Sequence, residues 1–232
     1  MRLRILAIES SSERCSVALW RNGEVSARSS DAGVAHSEVV LPFVGELLNE
    51  ADLNLRDLDA VAFGAGPGGF TGLRLACGVA QGLAFGAGLP VIGIGSLEAL
   101  AWGSGAGRVY TCLDARMEEV YCACFIRSDD ALKAIVSPGV FPPHQAPLPC
   151  GADWFGIGNG FSAYPDVLSV RFGGRMSAVS PSASPHALAV AELAVRRFQR
   201  GQRDDPCAAI PMYVRDKVAS TTAERLARGG KA

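Results

Sequence analysis

The chain has 232 residues, 49% hydrophobic and 19% charged, and 22 Lys and Arg stand against 23 Asp and Glu for a net charge of −1. This length supports one or two domains with a real core and excludes a disordered chain. The charge balance excludes a uniformly basic nucleic-acid binder, and no apolar run reaches the roughly 18 residues of a membrane span. The nearest such run, 75–94, is broken by Gly78, Gly82, Gly86, Gly88 and Pro90 and reads as helix, turn and strand. No signal-peptide pattern opens the chain, so the expected location is the cytoplasm. Seven cysteines, with no CxxC pair, read as small buried apolar residues of a reducing compartment. Cys122 and Cys124 share one strand face, but two further metal ligands at useful spacing are lacking.

Residues 3–8 form an apolar strand pattern ending at Glu9, followed by the polar turn 10–14. Strands at 15–20 and 24–29 are joined by Arg21-Asn22-Gly23, a hairpin signal. Ser37 can cap a helix in which Val40, Val44, Leu47, Leu48 and Ala51 recur at helical spacing. A strand at 60–63, a glycine-rich turn, a helix at about 70–85, a strand at 90–94 and a helix at 97–102 capped by Ser96 complete the first half. The order β-β-β-α-β-α-β-α is that of a ribonuclease-H-like unit, not of a dinucleotide-binding domain.

The small-residue stretch 103–107 marks a lobe boundary. After it the opening pattern returns: a strand ending in Leu113-Asp114, a polar turn, then a strand at 121–125. This weak repeat predicts two related lobes, 1–106 and 107–217. Residues 138–149 read as a loop and 155–157 as a strand. Ser184-Pro185 opens a helix to about Arg200. The end of the chain, 218–232, reads as a basic, mobile tail.

The strongest local signal is the run from Gly64 to Gly72, between a strand and a helix. Its glycines have two readings, close backbone packing or amide groups approaching a phosphate. It is neither a dinucleotide fingerprint nor a Walker loop: the next strand ends in Gly93-Ile94-Gly95 without an acid, and no Lys follows the glycines. The second signal is the pair of strand-end carboxylates, Glu9 and Asp114, placed as metal or phosphate-turn residues are in nucleases and two-lobed ATPases of this fold. His36, His144 and His186 are scattered, and HExxH and GxSxG are absent.

Several runs occur together in order: Ile5-Leu-Ala-Ile-Glu-Ser-Ser, His36-Ser-Glu, Gly66-Pro-Gly-Gly-Phe-Thr-Gly-Leu-Arg74, Pro90-Val-Ile-Gly, Asp114-Ala-Arg-Met-Glu-Glu-Val-Tyr121 and Tyr213-Val-Arg215. With them the chain resembles the TsaB (YeaZ) family of bacterial tRNA-modification proteins over about residues 3–218. Glu9 stands where the family often has Asp, Gly69 where Ser is common, and Val214 where Leu is usual.

The resemblance implies an α/β fold of two ribonuclease-H-like lobes in the actin/Hsp70-like ATPase superfamily. It implies a non-catalytic subunit that pairs with a related paralogue, TsaD, and with the ATPase TsaE transfers threonylcarbamoyl to the adenosine beside the anticodon of tRNA. The paralogue's metal-binding His pair falls here at about Ser96 and Leu100, neither a good ligand, so no metal is expected. No tightly bound cofactor is expected either, with ATP or ADP only at the junction with TsaD. The first-lobe helices would pair with TsaD, or with a second copy in its absence, which gives Val40, Val44, Leu47, Leu73, Arg74, Leu75 and Val79 as interface residues. Glu9, Ser10, Gly68, Gly69, Asp114 and Arg116 are the candidates near phosphate. The alternative reading is an ATP-dependent phosphotransferase of the same superfamily. A ribonuclease-H-like nuclease is a third.

Overall fold

The computed structural model describes residues 3–129 and 131–215. It contains two five-stranded mixed sheets. The first is built from β1 (Arg4–Glu9), β2 (Ser16–Arg21), β3 (Glu24–Ser29), β4 (Ala60–Gly66) and β5 (Val91–Gly95), in the order β3-β2-β1-β4-β5. The second uses β6 (Arg108–Arg116), β7 (Glu119–Ser128), β8 (Ala131–Phe141), β9 (Trp154–Ile157) and β10 (Met176–Ser180), in the order β10-β9-β6-β7-β8. In each sheet the first three strands form an antiparallel meander and the last two add in parallel beside the first. The two sheets therefore share one topology, and the faint sequence repeat is a structural one.

The helices are α1 (His36–Glu50), α2 (Phe70–Ala87), α3 (Ser96–Gly103), α4 (Gly160–Ala163), α5 (Pro165–Phe172) and α6 (Ala187–Gln199). Strand alternation explains why β1 is apolar from Ile5 to Ile8. Leu6 and Ile8 point into a core shared with α1 and α2, while Ile5 and Ala7 point into a core shared with α6. A strand covered on both faces has no polar side to display. The second sheet is covered by α4 and α5 on one face, around Tyr110, Trp154 and Phe172. On the other face lies α3, through Leu97, Leu100 and Ala101. Because Ala99 and Trp102 of α3 sit in the first lobe's core, this helix packs against both sheets.

Several local expectations are corrected. By chain order α6 falls within 107–217, yet it packs on the first sheet, where Val190, Ala194 and Val195 cover Ile5 and Ile92. Ala35, not Ser37, precedes α1, and the cap of α6 is His186, whose Nδ1 accepts a hydrogen bond from the Leu188 amide. The loop expected at 138–149 begins inside β8, an edge strand, where Pro138 is tolerated because a missing N–H need not leave a ladder bond unmade. The basic tail, 218–232, lies outside the described residues.

Candidate functional site

Between the lobes lies a cleft of about 380 Å³. Its walls are the β1–β2 turn (Ser11, Ser12, Glu13), the entrance to α2 (Gly68, Gly69, Phe70), the β6–β7 turn (Asp114, Arg116, Met117), Asn159, and the segment Met212 to Arg215. Of the six candidates near phosphate, Gly68, Gly69, Asp114 and Arg116 line this cleft.

The other two candidates near phosphate do not face it. Glu9 is fully buried; its carboxylate accepts hydrogen bonds from the Ser11 amide (2.6 Å) and the Ser96 hydroxyl (3.2 Å). Burial raises its pKa, partly offset by those bonds. It sits directly over β4: a Cβ on Gly64 would lie 2.0 Å from its Oε2. Ser10 is buried too, and its hydroxyl donates to the Gly72 carbonyl (2.8 Å). Both residues point inward because β1 continues into a turn that α2 clamps from above.

The same clamp decides between the two readings of the glycine run. The Gly69 amide donates to the Ser11 carbonyl (2.7 Å), so it is spent within the protein. A Cβ on Gly72 would stand 1.8 Å from the Ser10 carbonyl oxygen, and one on Gly68 would meet Ser11 at 2.5 Å. These glycines permit backbone contact between α2 and the β1–β2 turn.

The β6–β7 turn holds Arg116, Met117 and Glu118 all at positive φ, the left-handed conformation of a tight hairpin. Asp114 is fixed on every side. Its amide donates to Asn159 Oδ1 (2.9 Å), and its carboxylate accepts from the Arg116 amide (2.9 Å) and the Tyr164 hydroxyl (3.4 Å). The Arg116 guanidinium pairs with Asp114 (3.3 Å) and reaches across the cleft to Glu13 (4.0 Å). The cleft charges are thus paired among themselves. Among the described residues no group of three or more His, Cys, Asp or Glu could hold a metal ion.

The interface candidates divide in the same way. Val40, Val44 and Leu47 are buried in the first lobe's own core, where helical spacing marked the inward face, and Leu73 is buried at the wall of the cleft, so none of them forms a free surface. Leu75 and Val79 are half-buried against that core. Arg74 is exposed, stacked on Phe70 (3.8 Å) and donating to the Tyr213 hydroxyl (3.1 Å). The outward face of α2 instead carries Phe70, Arg74, Gly78, Gly82, Phe85 and Gly86, and a Cβ on any of these last three glycine positions (78, 82, 86) would meet nothing within 4 Å. Phe85 is 72% exposed. Sequence reasoning noted these glycines but not that they face outward. It missed the cleft roles of Glu13, Asn159 and Tyr164 altogether, because only the folded chain brings them to Asp114 and Arg116.

The lobes, their shared topology and the cleft between their hairpin turns define a protein of the actin/Hsp70-like ATPase superfamily. The family model described as TsaD, tRNA N6-adenosine threonylcarbamoyltransferase, matches residues 29–224. The tRNA threonylcarbamoyladenosine biosynthesis protein TsaB of Escherichia coli is 36% identical over 94% of this chain and 96% of its own length. The TsaB of Haemophilus influenzae is 38% identical over 93% and 95%. The solved structure of YeaZ from Pseudomonas aeruginosa superposes with a TM-score of 0.84 at 38% identity, covering 91% of this chain and 99% of that one. The chain belongs to the TsaB (YeaZ) family.

Proposed function

We propose that this chain is a non-catalytic supporting subunit in the biosynthesis of threonylcarbamoyladenosine in tRNA, acting by pairing with TsaD. The observation that carries this reading is the outward face of α2. Gly78, Gly82 and Gly86 form a furrow with open space above each α-carbon, flanked by exposed Phe70 and Phe85. A glycine-rich helix is intrinsically weak, each glycine costing about 1 kcal/mol relative to alanine. A buried face would repay that cost within the lobe. An open one repays it when a second helix lies close against the backbone. In this reading TsaD supplies that helix, and a second copy of the chain does so in its absence.

The positions matching the paralogue's metal-binding pair support the non-catalytic part. Ser96 is buried and bonded to Glu9, and Leu100 is packed in the core under the second sheet. Both point into space that the protein itself fills. An ATP or ADP site at the junction with TsaD, contact with TsaE, tRNA reached through the complex and a cytoplasmic location belong to the same proposal. No helix among the described residues is long and apolar enough to cross a membrane.

The test is threonylcarbamoyl transfer to unmodified tRNA by purified TsaD and TsaE, with threonylcarbamoyl-adenylate and ATP, with and without this chain. Transfer that needs both TsaD and this chain is expected. Transfer that is indifferent to this chain, while another TsaB restores it, sinks the reading and moves the phosphotransferase alternative forward.

A further inference from the structure

The segment after α6 returns along the first lobe and ends on the second. Gln81 Nε2 donates to the carbonyls of Pro206 and Ala209 (both 3.0 Å), and the Cys77 thiol lies 3.6 Å from the latter. The Met212 amide donates to Ala65 at the end of β4 (2.7 Å). The Tyr213 hydroxyl accepts from Arg74, and its ring packs 6.2 Å from that of Phe70. Two residues later Arg215 is anchored on the other lobe. It donates to the Ala115 carbonyl (3.1 Å), pairs with Glu119 and touches the Met117 sulfur (3.3 Å).

Only Val214 separates the last first-lobe anchor from the second-lobe anchor. An extended chain advances at most about 3.6 Å per residue, so the two α-carbons are never more than about 7 Å apart. The cleft cannot open by more than the slack in that link unless Arg215 or Tyr213 lets go. We infer that residues 206–215 form a strap that locks the closure of the two lobes, with Arg215 as its latch. Through Tyr213 the lock also positions Phe70 and Arg74 at the start of the α2 face. Arg215 is then a positioning residue for the supporting role, and this second part rests on the function proposed above.

The lock is tested on the isolated chain, without any partner. Spin labels are attached at Ser37→Cys and Ala163→Cys, both exposed sites, one on each lobe, in a chain carrying Cys150→Ser and Cys207→Ser and diluted with unlabelled protein. A narrow distance distribution is expected, which Arg215→Ala broadens toward longer distances. Amide exchange in 115–119 and 68–74 should quicken about tenfold, the loss expected for one charge-assisted hydrogen bond. Arg215→Lys should rescue partly, since an ammonium cannot hold the carbonyl and the carboxylate together as a guanidinium fork does. Should Arg215→Ala fail to fold, Tyr213→Phe and Glu119→Gln each release one anchor and should show the same broadening. An unchanged distribution in folded variants overturns the lock. The second arm measures threonylcarbamoyl transfer with TsaD, where Arg215→Ala should lower the rate about tenfold for the same loss of one bond. Broadening without lowered transfer overturns the positioning role. A wild-type chain that supports no transfer overturns the supporting function, while the distance measurement still decides the lock.

Discussion

Replacing Glu9 separates a structural carboxylate from a ligand-binding one. In Glu9→Ala the Ser11 amide and the Ser96 hydroxyl both lose their acceptor in a fully buried site. Each unsatisfied buried group costs about 1–3 kcal/mol, and the void left by the carboxyl arm adds about 1 kcal/mol. The total, about 3–7 kcal/mol, lowers the melting temperature by roughly 6–28 °C at about 2–4 °C per kcal/mol in a chain of this size. Glu9→Gln behaves differently. Its amide oxygen still accepts from Ser11, its NH2 donates to the Ser96 oxygen, and no charge needs burying. It should lie within about 1 kcal/mol of wild type near neutrality. The pH dependence gives a second check. Burial raises the native pKa above the ordinary 4.5, so over the interval from 4.5 up to that native value the native state holds more protons than the unfolded one. This group's contribution to stability is therefore full below 4.5 and falls as pH rises through the native value. Glu9→Gln removes that slope. Denaturant titrations at a series of pH values measure both effects. If Glu9→Gln loses as much stability as Glu9→Ala, or if magnesium-ADP stabilises wild type and not Glu9→Gln, the carboxylate has a role that the buried geometry does not account for.

Two glycines on one helix should respond oppositely. Gly72→Ala forces a methyl into the Ser10 carbonyl and should cost about 3 kcal/mol or more, read as a lowered melting temperature; Gly78→Ala faces open space and should gain about 1 kcal/mol while weakening association with TsaD in a sedimentation assay. A Gly78→Ala chain that associates as well as wild type removes the furrow from the interface. Burial lowers the pKa of His186, which must be neutral to accept the Leu188 amide, so its contribution is present above the unfolded value of 6.5 and is lost as pH falls through the native one. His186→Asn keeps a capping acceptor and should flatten the stability profile between pH 7 and 5. An aromatic disulfide reagent should titrate the exposed Cys150 and Cys207 quickly and the other five thiols only after unfolding. Burial drives Cys15 up to about 11 and Cys124 to about 12, far from the thiolate.

The meander-then-crossover order was legible in the sequence because β1, β2 and the Asn22-Gly23 hairpin carry strong local signals, and the weak repeat at Leu113-Asp114 does mark a second copy of the sheet. Strand β8 was hidden by Pro138 and β10 by its polarity, since edge strands need neither full hydrogen bonding nor two apolar faces. Periodicity identified Val40, Val44 and Leu47 as one-sided, but it measures which face is apolar. In a helix covering a sheet that face is the one turned inward. The outward face, by contrast, is marked by the side chains missing there, at Gly78, Gly82 and Gly86. Composition alone does not separate them from Gly72, which is a packing glycine on the opposite side.

The sequence resemblance points to the turns at the ends of the two meanders as candidate phosphate-binding places. Here the corresponding groups already have partners within the chain. The Gly69 amide donates to the Ser11 carbonyl and the Ser10 hydroxyl to that of Gly72, the Glu9 carboxylate accepts from Ser11 and Ser96, and Arg116 pairs with Asp114 and Glu13. Glu9 and Ser10 spend their polar groups inside the first lobe, while the Arg116 guanidinium stays solvent-exposed at the cleft. Residues 206–215 link α2 to β7 through hydrogen bonds at one end and an ion pair at the other. In the strap inferred above, these contacts hold one lobe geometry. Under the function proposed above, that geometry would present the outward face of α2 to TsaD.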